Sequence, residues 1–339
     1  MVYSHLRVNY QNWGGAMNEV NGLHHVGHVV RDLGQAMETY RRLGFTVAPP
    51  AYPVLPGVSA EAVAVANAHV YFADGFVELV AVLDANHPPV EARPFPLRVP
   101  DDRLPGLAAA IRATVENIRS FADRFEGVHI MIADTSGIDG VASRLTASGV
   151  PHGGVHAIQR PVQTEAGTLM EPARYLEISA PDLPLGRVPE GRIGFAQNAT
   201  APADRPADHS HPNGAIRLVE CVLCVDDASL PEVTRRYGTY FGQEPAVAGQ
   251  VARFGRAGVT VVGASALGGL LPGERAAGSP AFVAYGVSVR ELAATERLLR
   301  GNDVPVTRTG PDELFVAALG TAVVFRQEGL RRERGGGLR

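Results

Sequence analysis

The residues able to do chemistry in this chain sit in a few short apolar stretches. Residues 23–33, Leu-His-His-Val-Gly-His-Val-Val-Arg-Asp-Leu, carry three histidines in a strand-like run closed by Arg31-Asp32. Imidazoles bind metals and move protons near neutral pH. Residues 127–134, Gly-Val-His-Ile-Met-Ile-Ala-Asp, repeat the same grammar around His129. Glu78 lies in the apolar run Phe76-Val77-Glu78-Leu79-Val80, where a buried carboxylate needs a cation, a hydrogen-bond donor or a metal. Arg31 and Arg174 are the cations considered for it. Cys221 and Cys224 have C-x-x-C spacing, but within a strand an offset of three puts them on opposite faces. They read as two buried thiols and not as a redox or zinc pair. All 31 basic residues are arginine, which removes Schiff-base lysine chemistry and the P-loop lysine.

The elements that must position these groups repeat. After the first strand, Asp32 is an N-cap, and Leu33, Met37, Tyr40 and Leu43 share one face of a helix that Gly44 ends. Phe45-Thr46-Val47 opens a further strand. Residues 68–73 and 76–82 form a hairpin around Asp74-Gly75. The order is strand, helix, three strands. Proline-rich residues 87–104 make a connection, and a helix over 105–124 carries Leu107, Ile111, Val115, Ile118 and Phe121 on one stripe. The same order recurs from Val128, with strands at 155–160, 174–179 and 192–198, and then twice more from Ile216 and Ala281. A repeated unit of this size buries its sheet only against another copy. The strand period puts His24 and His28 together on the face opposite His25, as packing or hydrogen-bonding residues.

The runs His25-Val26-Gly27-His28-Val29-Val30-Arg31-Asp32-Leu33, Phe76-Val77-Glu78-Leu79-Val80 and His211-Pro212-Asn213-Gly214-Ala215 resemble the glyoxalase-like branch of the vicinal oxygen chelate superfamily. The resemblance covers about residues 22–328. It implies an α+β fold of four βαβββ modules forming two tandem paired-module units. The expected division is an N-terminal extension (1–20), a first unit (21–200, modules near 22–86 and 126–198, helical insertion 88–125), a linker (201–214), a second unit (215–328, modules near 215–265 and 280–328) and a disordered tail (329–339).

In that superfamily the strands of paired modules form a cup, and a divalent metal is held by the first and last strands of each module. Carried over residue by residue, the expected ligands are His25, Glu78, His129 and Gln197, with Fe(II), Mn, Ni, Co or Zn as the metal. Gln197 stands where the family often has Glu, and it brings no charge and cannot act as a base. Glu177 is an alternative carboxylate. Glu78 is the expected catalytic base, and Arg160 and Tyr175 are the expected substrate-orienting residues. Glu220 takes the first-strand position in the third module, but its counterpart in the fourth is about Ala284. The second unit therefore reads as a structural half, a dimer surface or a cup that binds without metal.

The totals bound what else is open. With 339 residues, 45% hydrophobic, 19% charged and a net charge of −4, the chain has the composition of a globular protein without a nucleic-acid surface. No run reaches the length of a membrane span and the start lacks a signal-peptide pattern, so a cytoplasmic location and a small-molecule substrate are expected, with a homodimer as an allowed assembly. The functional expectation is a metal-dependent glyoxalase-like isomerase, lyase or oxygenase acting on a small oxygenated metabolite. The rival is a metal-free binding or drug-sequestering protein of the same fold.

Overall fold

A computed structural model describes residues 20–54, 64–83, 93–96, 104–164, 167–198 and 210–329, excepting the side chains of 53–54, 93–96, 104, 107, 159–164 and 167–170. The expected N-terminal extension, except Val20, which instead opens the first strand, the expected tail, except Gly329, and most of the linker lie outside these residues.

The first sheet has nine strands, β1 (Val20–Val29), β2 (Ala51–Val54), β3 (Ala64–Tyr71), β4 (Phe76–Leu83), β5 (Arg93–Pro96), β6 (Gly127–Thr135), β7 (His156–Thr164), β8 (Gly167–Glu177) and β9 (Arg192–Asn198). Their spatial order is β5-β2-β3-β4-β1-β6-β9-β8-β7. The second has eight, β10 (Ala215–Val225), β11 (Ala246–Ala248), β12 (Val251–Phe254), β13 (Val259–Gly263), β14 (Ala281–Val289), β15 (Thr307–Gly310), β16 (Glu313–Ala318) and β17 (Thr321–Gln327). Helices α1 (Leu33–Arg42), α2 (Leu104–Arg124), α3 (Ile138–Ala147), α4 (Leu230–Phe241), α5 (Leu267–Leu270) and α6 (Leu292–Gly301) complete the fold. In each sheet the first strands of two modules pair antiparallel, and each pairs parallel with the last strand of its own module. This is the expected α+β architecture of curled sheets built from paired modules.

Two local expectations differ. Phe45–Val47 is not a strand; it follows the Leu43-Gly44 turn as irregular chain, and the strand is Ala51–Val54. The proline-rich connection contains β5, paired parallel with β2 at the rim, where missing N–H donors cost least.

The two sheets stand back to back. A single core runs from Leu23, Val26 and Met131 on the first sheet to Cys221, Leu223 and Tyr285 on the second, flanked by Tyr40, Leu145, Tyr237 and Leu299 of the helices. The opposite faces form two separate interiors. Ile118 and Phe121 of α2 cover the first, against Val29, Val80, Ile130, Ile132, Tyr175 and Ala196. The second is lined by Val222, Cys224, Val262, Ala284 and Val324 and capped by Leu267. Cys221 and Cys224 fall in different cores, both buried, and burial raises both thiol pKa values, Cys224 to about 11.

The linker motif acts as a clamp. His211 Nδ1 accepts from the Thr46 amide, and its Nε2 donates to the Tyr71 carbonyl. Asn213 donates to the Leu43 carbonyl at the end of α1 and receives Ala215 N–H, while its own carbonyl accepts from Thr295 of α6. The segment joins the C-terminus of α1 to the second unit.

Candidate functional site

The register of β1 against β6 fixes which residues are equivalent. Val26 faces Met131 at the centre; His25 faces Ile132, and Gly27 faces Ile130. This two-fold pattern makes His25 and Ile130 equivalent, and Gly27 and Ile132 equivalent. Either side of the centre one residue is unpaired: His24 on β1 and His129 on β6. The second sheet has the same bulges at Val219 and Val283. A bulge turns two successive side chains to one face, so His24 joins His25 on the interior side. This corrects the expectation that His24 faces away with His28, and it makes His24, not His25, the echo of His129. The cue in the sequence was the His24-His25 doublet itself; a strict period of two cannot reveal a bulge.

His28 does face away. Its Nδ1 accepts from Tyr40 Oη at 2.7 Å, Tyr285 Oη donates to Tyr40 at 2.8 Å, and Nε2 donates to the Leu319 carbonyl. Burial pulls its pKa down to about 4, so the ring is neutral.

His24, His25, His69, Tyr71, Phe76 and Glu78 form one cluster at an end of the first interior. The Phe76 ring is its hub: His25 stacks on it at 4.4 Å, and His24 and His69 meet it edge-on at 5.4 and 5.3 Å. His69 also stacks on Tyr71. His24 Nδ1 lies 2.7 Å from His25 Nδ1. Glu78 accepts from Asn67 Nδ2 at 2.8 Å and lies 3.9 Å from His69 Nε2, with neither arginine as its listener: Arg174 pairs with Asp139, and the Arg31 guanidinium donates to the Ala122 carbonyl. Packing lowers the His69 pKa, with Glu78 opposing the shift. His24 and His25 are buried, while His69, Tyr71, Phe76 and Glu78 are partly exposed.

The other expected site residues lie elsewhere. His129 is sealed beneath α2, its ring against Phe121 and Phe125 at 5.1 and 4.2 Å, with Nε2 donating to the Phe125 carbonyl. Burial lowers its pKa to about 4, and its Nδ1 has no partner. Gln197 is on the back face, where Oε1 accepts from Ile138 N and Nε2 donates to the Ser136 carbonyl, capping α3. The strand position equivalent to Glu78 is Gly194, because Glu78 pairs with Gly27 and Gly194 with Ile132. A Cβ there would lie 2.4 Å from the Leu176 carbonyl oxygen. Tyr175 is buried under α2, its hydroxyl on Glu177, which also pairs with Arg192. The Arg160 side chain lies outside the described residues.

The expected four-ligand set is therefore not assembled. Two of the four equivalent positions carry donors (His25 and Glu78), and two carry Ile130 and Gly194. Among the described residues no three His, Cys, Asp or Glu side chains converge as metal ligands. In the second unit, Glu220 sits at the His25 position but is held by Thr260 and by Arg326, which also pairs with Glu313. A cavity of about 320 Å³ in that unit, bordered by Cys224, Asp226, Leu267 and Arg275, is distinct from the histidine cluster.

Paired modules, bulged central strands and a donor-bearing interior face define the vicinal oxygen chelate class. The chain belongs to the glyoxalase-like domain family, whose model matches residues 23–241. No curated protein matches it. Among solved structures, it is similar to a hypothetical protein from Staphylococcus aureus (TM-score 0.52, 9% identity, 90% of this chain and 99% of that one). It is similar also to a triple mutant of 4-hydroxymandelate synthase from Streptomyces coelicolor (0.54, 12%, 91% and 93%). A third is a xylose isomerase-like TIM barrel/4-hydroxyphenylpyruvate dioxygenase fusion protein (0.53, 11%, 96% and 50%). At these identities the likeness is one of fold.

Proposed function

We propose that the first interior binds a small, flat, oxygenated molecule against the Phe76–Tyr71–His69 wall and exchanges protons with it, without the four-ligand metal centre of the superfamily. The observation that carries this reading is the Phe76 hub: a phenyl ring packs against three imidazoles where a metal would need them to converge. An aromatic wall with a few placed polar groups suits a conjugated or aryl ligand. Glu78, oriented by Asn67, is the proton acceptor at the edge of the wall. His25 lies on the same face, two register positions away.

The probes follow from the names of the structural neighbours: 4-hydroxyphenylpyruvate and 4-hydroxymandelate, titrated calorimetrically into protein stripped of metal. We expect binding at micromolar to millimolar concentration, weakened about tenfold by Phe76→Ala, equivalent to ~1.4 kcal/mol. Elemental analysis after incubation with Fe(II), Mn, Ni and Zn is the companion measurement. About one metal per chain, lost in both His25→Ala and Glu78→Gln, would sink this reading and restore the metal-dependent one.

A further inference from the structure

We propose that Asn198 is a positioning residue that sets, through His24, which nitrogen of His25 carries a proton; the role in turnover rests on the proton-exchange reading above, but the relay itself does not. His24 and His25 face one another through like atoms, Nδ1 to Nδ1 at 2.7 Å. Two lone pairs would repel at that distance, so one nitrogen carries a hydrogen and the other accepts it. The other end of His24 meets the side chain of Asn198, with Nε2 3.3 Å from Oδ1 and 3.0 Å from Nδ2. An amide offers an acceptor on one side and a donor on the other, and each orientation imposes one arrangement on the whole chain of atoms.

With Oδ1 toward His24, His24 Nε2–H donates to it. His24 Nδ1 then accepts from His25 Nδ1–H, and His25 Nε2 holds a lone pair. With Nδ2 toward His24, the order reverses: His24 Nδ1–H donates to His25 Nδ1, and His25 Nε2 carries the hydrogen. The first arrangement makes His25 a base and the second makes it an acid. When His25 Nε2 in the first arrangement takes a proton from a bound molecule, one N–H bond forms and one bond in that molecule breaks. The bridging proton moves from His25 Nδ1 to His24 Nδ1. The positive charge comes to rest on His24, whose Nε2–H is held by the Asn198 carbonyl. The bulge makes this geometry, since it alone puts consecutive histidines on one face. In the second module the bulge residue His129 is followed by Ile130, so no second relay can form there.

The test is two-bond ¹H–¹⁵N correlation spectroscopy on ¹⁵N-histidine protein at neutral pH without ligand, so it stands whether or not the aryl probes bind. In the wild type, His24 and His25 are expected as opposite tautomers. Asn198→Asp offers only acceptors and should put His25 in the Nδ1–H form. Asn198→Lys offers only donors and should put it in the Nε2–H form. Two rings in the same tautomer in the wild type, or the same His25 tautomer in both folded variants, would overturn the proposal. Should either variant fail to fold, Asn198→Ala, which removes both the donor and the acceptor from His24 Nε2, takes its place: a His25 tautomer unchanged from the wild type would overturn the proposal.

Discussion

At the scale of single residues, the histidines of β1 divide by environment more than by type. His25 is held between an imidazole and a phenyl ring, whereas His28 is locked into a neutral hydrogen-bonded chain with Tyr40 and Tyr285. That chain makes stability depend on pH. The His28 pKa is depressed from 6.5 to about 4 by burial, so the unfolded chain takes up a proton more readily than the folded one. The stabilisation is complete above pH ~6.5 and is lost as pH falls toward ~4, by roughly 3 kcal/mol for this one group. Urea unfolding at pH 7 and pH 4.5 should show that fall, and His28→Gln should flatten it. An unchanged slope in the variant would assign the acid sensitivity to His129, which burial also holds near 4. The sequence marked Glu78 as a buried carboxylate needing a partner. It did not reveal the partners, because Asn67 and His69 lie on a neighbouring strand and carry no pattern of their own.

At the scale of elements, α2 decides how much of the first interior is open. Its stripe of Val115, Ile118 and Phe121 was readable from helical spacing, and these residues are buried. Its place was not readable, since an amphipathic helix carries no address for the sheet that will receive it. It lies over Tyr175, Ile130 and His129, so two of the expected site residues lie beneath it. Phe121→Ala should cost about 3–5 kcal/mol of stability. It should also admit an environment-sensitive apolar dye to the first interior, seen as increased fluorescence against wild type under native conditions. The modules themselves were legible because strand, cap, helix and glycine signals recur in order. The equivalence of residues across modules was not, because it depends on bulges: one unpaired residue exchanges the faces of everything beyond it. The bulge separates His129 by one residue from Ile130, the true counterpart of His25. Gly194 is hidden for another reason: a glycine brings no donor to mark its position, whereas the polar Gln197 three residues on does.

At the scale of the whole molecule, the two sheets share one core, and buried polar contacts cross between them. His28 reaches the Leu319 carbonyl, Arg144 donates to the Tyr240 carbonyl, and the fully buried Glu190 pairs with Arg236 of α4. Such continuity predicts one cooperative unfolding transition for both units, with near-coincident curves by circular dichroism and tyrosine fluorescence. Asn213→Ala removes the hydrogen bonds to Leu43 and Ala215 in buried surroundings and should lower stability by about 2 kcal/mol. Two separated transitions in that variant would mean that the clamp alone couples the units. No helix among the described residues is long and apolar enough to cross a membrane.

Gly194 limits what protein engineering can make of this cup. Ile130 can be exchanged for a ligand of similar bulk, and Ile130→His would set an imidazole at the position equivalent to His25, giving a third donor to the set of His25 and Glu78; bound Co(II) should then show visible absorption that the wild type lacks. The fourth donor cannot be installed in the same way, because any side chain at Gly194 runs into the Leu176 carbonyl. Gly194→Glu should lose the fold before it gains a ligand, with a lowered melting temperature as the sign. The route from this protein to a fully ligated centre passes through a shift of the β8 backbone, which no one-for-one exchange of side chains supplies.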